Sequence, residues 1–117
     1  MKAMLFRAGI DTEYQVDFCI TGQEAFDQLI ASTNLGLSYK VIFTDFNMPV
    51  MDGIQATKKM RAYLTEKGKE QPGIIGVTGH VLDAFLEEGK TAGMNSIVPK
   101  PMHINVLKKM LKKYGLL

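Results

Sequence analysis

The sequence predicts an α/β fold, with one parallel sheet covered by helices on both faces. Three observations carry this. Stretches with helical and with strand periodicity take turns along the chain, in the order α-β-α-β-α-β-α-β-α. The run Val41-Ile42-Phe43 is continuously apolar, as strands covered on both faces are. Gly and Pro punctuate the joins. Strict alternation of this kind implies right-handed crossovers. At 117 residues, the chain is one domain's worth, spanning 1–117.

Each element has a local reason. Residues 1–8 read as the tail of a helix, closed by Gly9. In residues 15–20, Val16, Phe18 and Ile20 alternate with polar neighbours, which is a strand pattern. Thr21-Gly22-Gln23-Glu24 has capping-box spacing, and Ala25, Phe26, Leu29 and Ile30 follow at helical spacing up to a loop over 34–38. The apolar strand ends at Thr44-Asp45. After a turn through Asn47, Pro49 and Asp52-Gly53, a helix over 54–66 buries Ile54, Met60 and Leu64 and turns Lys58, Lys59 and Arg61 to water. A polar loop over 67–72 leads to a third strand, 74–78, broken by Gly79. Val81, Leu82, Phe85 and Leu86 mark a helix that fades over 89–93. A short strand, Ser96-Ile97-Val98, ends at Pro99-Lys100-Pro101. The last helix, 104–114, carries the apolar stripe Ile104, Leu107, Met110, Leu111 and Tyr114. Lys108, Lys109, Lys112 and Lys113 read as its solvated face.

Composition excludes several classes. Apolar residues make up 46% and charged residues 22%, the proportions of a globular domain rather than a disordered chain. No apolar run approaches the ~20 residues of a membrane helix, and the apolar stretch near Met1 is too short for a signal peptide. One cysteine, Cys19, leaves no internal disulfide and suits a reducing, cytoplasmic location. A net charge of +2 is too mild to argue for nucleic acid or a membrane surface, so neither is expected as a partner. His80 and His103 read as surface residues, with no ligand spacing to Cys19 or to each other. Gly73, Gly76 and Gly79 interrupt a strand and do not make a phosphate loop.

Ligands of open α/β sheets bind outside the carboxyl ends of the strands. Three predicted strands end in Asp45, Thr78 and Lys100, so a parallel sheet brings a carboxylate, a hydroxyl and an ammonium to one edge. Singly, these could be a helix-entry cap, a strand residue and a loop lysine. The run Asp45-Phe46-Asn47-Met48-Pro49-Val50-Met51-Asp52-Gly53, followed by Thr78 and by Lys100-Pro101 at the ends of later strands, resembles the receiver domain of two-component response regulators. The resemblance covers essentially the whole chain.

It implies a flavodoxin-like three-layer sandwich and a role for each matching position. Asp45 matches the aspartate that accepts a phosphoryl group from a phosphohistidine. Thr78 matches the switch hydroxyl that bonds a phosphoryl oxygen. Lys100 matches the lysine that pairs with the aspartate and then with the phosphoryl group. Asn47 matches the position whose backbone carbonyl binds Mg²⁺, with Asp45 as a further ligand, and Pro101 a proline that often follows a cis bond. The implied partner is a histidine kinase or a histidine phosphotransfer protein. The implied context is a stand-alone regulator or the carboxyl-terminal receiver of a hybrid kinase. The chemistry agrees, since phosphoryl transfer asks for positioning and charge neutralisation more than for covalent work.

Two departures shape the expectations. The family's first strand, central in its sheet, and the acidic pair at its end have no counterpart here. The chain therefore reads as this domain without its amino end, with an incomplete Mg²⁺ site and strand edges open to self-association. Asp11, Asp17 and Glu24 lie where they cannot replace the pair. Ile97 stands where the family often has an aromatic residue, so an aromatic rotamer switch is not available. The alternative reading is a non-phosphorylated pseudo-receiver that serves as a protein interaction module.

Overall fold

A computed structural model of the chain describes residues 9, 21–45, 53–79, 83–100 and 102–117, the side chains of 83–85 excepted. The elements run α1 (Gly22–Asn34), β1 (Val41–Asp45), α2 (Gly53–Glu66), β2 (Gly73–Thr78), α3 (Asp83–Ala92), β3 (Ser96–Pro99) and α4 (Ile104–Lys113). The strands form one parallel sheet in the order β1-β2-β3. The expected helix tail over 1–8 and strand over 15–20, with Asp11, Asp17 and Cys19, fall outside the described residues, as do Asn47, His80 and Pro101.

Local chemistry accounts for the elements. Thr21 is extended, and its Oγ1 accepts from the Glu24 amide at 3.0 Å, satisfying one orphan donor at the start of α1. β2 is central among the described strands and buried at all six positions, while β1 buries only Thr44 fully. The faces alternate as the pleat requires. Ile75 and Val77 join Val98, Met102, Leu107 and Leu111 in a core beneath α4. Ile74 joins Leu29 of α1, Ala56, Met60 and Leu64 of α2, and Met94 on the other face. Helices on both faces make the three layers. Ile97 packs inward against this second core. Among the described residues, no helix is long and apolar enough to cross a membrane.

One side chain departs from the sequence pattern. Helical spacing groups Arg61 with Lys58 and Lys59 on the watery face of α2. The lysines are exposed, but Arg61 is partly buried. Its Nε donates to the Gly93 carbonyl at 2.9 Å, Nη1 to Gln71 Oε1 at 2.9 Å and the Pro72 carbonyl at 2.8 Å, and Nη2 to Asn95 Oδ1 at 2.7 Å. Asn95 Oδ1 also accepts from the Ile74 amide at 2.8 Å. Arg61 thus ties α2 to the segments that enter β2 and β3, at the amino edge of the sheet. Burial pushes its guanidinium below its ordinary pKa.

Candidate functional site

The sheet register assembles the carboxyl edge. Asp45 ends β1 opposite Val77, and Thr78 ends β2 opposite Pro99. The chain leaves β3 at Lys100, whose amide donates to the Thr78 carbonyl at 2.7 Å. Residues distant in sequence therefore meet because three parallel strands stop at the same level.

The Lys100 ammonium pairs with Asp45 Oδ2, reaching from the exit of β3 to the end of β1. Both side chains remain open to water, Asp45 at 32% and Lys100 at 45% exposure. A carboxylate in that setting is accessible to a ligand and already faces a cation. Thr78 is fully buried between them in the sheet. Four residues beyond Ile74, it lies on the face of α1 and α2. The structure thus brings Asp45, Thr78 and Lys100 to one edge, and Asn47 lies outside the described residues.

Two further residues at this edge are not apparent from the sequence pattern. Gly53, the first residue of α2, is buried against the end of β1. A Cβ built there would overlap the Asp45 carbonyl oxygen, with Asp45 C at 3.0 Å and Thr44 Oγ1 at 3.1 Å. Thr44 is itself buried, and among the described residues its hydroxyl has no hydrogen-bond partner. The Asp52-Gly53 pair reads as a turn in sequence. That the glycine touches the backbone of the strand-end aspartate is a tertiary fact.

Mg²⁺ takes oxygen ligands and commonly binds through one or two carboxylates, waters and phosphate oxygens. The water-accessible Asp45 carboxylate fits as one such ligand. Among the described residues, no group of three His, Cys, Asp or Glu side chains makes a cage for a metal. A pocket lined by Leu29, Leu37, Tyr39, Leu64 and Pro72 lies at the opposite edge and includes none of the strand-end residues.

Comparison with known proteins places this geometry. A family model described as the response regulator receiver domain matches residues 2–112. The osmosensing histidine protein kinase SLN1 of Saccharomyces cerevisiae is 34% identical over 114 residues, covering 97% of this chain and 9% of that protein. Two-component response regulator 24 of Arabidopsis thaliana is 36% identical over 112 residues, covering 96% of this chain and 71% of that protein. Against the hybrid and sensor kinases it matches, the chain thus spans less than a tenth of their length. Among solved structures, the receiver domain of the sensor histidine kinase PA1611 from Pseudomonas aeruginosa, with magnesium coordinated in its active site cleft, matches with a TM-score of 0.75 at 28% identity. That match covers 97% of this chain and 83% of the other.

Proposed function

The chain belongs to the response regulator receiver domain family, and on that premise we propose that it accepts a phosphoryl group on Asp45 from a phosphohistidine donor. The observation that carries this reading is the Asp45–Lys100 ion pair at the carboxyl edge, with Thr78 beside it. An Asp45 carboxylate oxygen attacks phosphorus in line. The new O–P bond forms as the N–P bond to the donor imidazole breaks. That nitrogen keeps the electron pair and takes a proton from solvent.

An anionic nucleophile facing an anionic phosphoryl group is repelled unless positive charge stands between them. Lys100 supplies it from the resting state onward, which removes reorganisation from the moment of transfer. Mg²⁺, where it binds at Asp45, adds positive charge for the phosphoryl oxygens. Thr78, buried at the end of β2, would bond a phosphoryl oxygen after transfer. The chain is then both catalyst and substrate of a single transfer rather than a turnover enzyme.

The donor would be a histidine kinase or a histidine phosphotransfer protein. The parent is either a hybrid kinase, the class named for the Dictyostelium discoideum relatives, or a regulator such as the Arabidopsis relative. Incubating the chain with acetyl phosphate and Mg²⁺ and reading intact mass tests the reading. One phosphoryl group is expected, and none on Asp45→Asn. An unmodified wild type would leave the pseudo-receiver as the better description.

A further inference from the structure

We infer that Gly53 is a positioning residue for phosphoryl transfer: it lets the start of α2 seat against the backbone of Asp45 and so fixes where the acceptor carboxylate stands. The inference rests on the proposed role of Asp45 and adds a second determinant of its reactivity.

The geometry is specific. Four described glycines, Gly53, Gly73, Gly89 and Gly93, lie where an added Cβ would overlap other atoms, at Gly93 the Arg61 side chain. At Gly73, the obstacle is the Tyr114 ring, and at Gly89 the end of the Ile97 side chain. At Gly53 it is main chain, the Asp45 carbonyl oxygen, with the carbonyl carbon at 3.0 Å. A ring or an isoleucine terminus can turn aside, whereas a peptide carbonyl moves only with its strand. Asp45 is the last residue of β1, with Val77 as its register partner. Room for a Cβ must therefore come from shifting the strand end that carries the carboxylate.

Thr44 closes the other escape. Its Oγ1 is 3.1 Å from the Cβ position, and it is buried at 5% exposure. Gly53 is also held from the helix side, because Thr57 Oγ1 donates to its carbonyl at 2.6 Å. The junction therefore has no soft side. A nucleophile displaced by ~1 Å from its productive geometry can lose ~100-fold in rate. The Lys100–Asp45 pair would be disturbed by the same shift, since Lys100 is anchored separately through its amide on β2.

The test compares Gly53→Ala with Gly73→Ala and Gly89→Ala, which carry comparable crowding away from Asp45. Each variant is assayed for phosphorylation by acetyl phosphate, per folded molecule, with the folded fraction taken from urea melts. Gly53→Ala is expected to lower the maximal rate by about 10- to 100-fold at a little-changed half-saturating donor concentration. The other two should react at the wild-type rate per folded molecule. If Gly53→Ala does not fold, Gly53→Ala/Thr44→Ala takes its place, since it frees space beside the added Cβ, and the same loss is expected. A Gly53 variant that reacts like wild type, or an equal loss in all three, overturns the inference and leaves Asp45 as acceptor. An unreactive wild type overturns both.

Discussion

Asp45 and Lys100 keep 32% and 45% of their side-chain surface exposed, so water screens their attraction. Exposed ion pairs of this kind contribute ~0–1 kcal/mol to stability. Under the proposed function, their value lies in where charge develops during transfer. Lys100→Ala should therefore change the urea midpoint little and slow phosphorylation by ~100-fold or more, the usual loss on removing one preorganised charge-stabilising group. Parallel melts and labelling time courses check both halves. These two residues and Thr78 were legible in the sequence because strand ends in a parallel sheet share an edge. Thr44 and Gly53 were not. Their importance comes from a contact between the end of β1 and the start of α2, which no periodicity encodes.

The helices show how far pattern reaches. The stripe on α4 is read correctly, with Leu107 at 0% and Leu111 at 2% exposure against Ile75, Val77 and Val98. Leu107→Ala should cost about 2–5 kcal/mol, read from denaturant melts. Arg61 shows the limit. The helical period places it correctly on its side of α2, but it does not say that the segments 71–72 and 93–95 cover that side. Arg61→Ala removes four hydrogen bonds and leaves two part-buried carbonyls without their donor. The expected loss is about 2–4 kcal/mol by the same measurement.

Across the molecule, the two edges of the sheet divide the work. The amino edge carries the Arg61 clasp, and the carboxyl edge carries Asp45, Thr78 and Lys100. Arg61→Ala should accordingly lower stability while leaving the rate of phosphorylation per folded molecule within about twofold of wild type, as expected for sites that share no partners. Over the described residues, the alternation of elements, the parallel sheet and its covered faces were legible because each rests on local periodicity. The register that pairs Asp45 with Val77 and Thr78 with Pro99 was not, since it is settled by packing between distant strands. The account turns on the identity of the acceptor. The direct measurement is to phosphorylate the wild-type chain, reduce the product with borohydride, which converts an aspartyl phosphate to homoserine, and map the peptides by mass spectrometry. Homoserine at position 45 is the predicted result. Conversion at another aspartate, or none in a chain that carries phosphate, would contradict it.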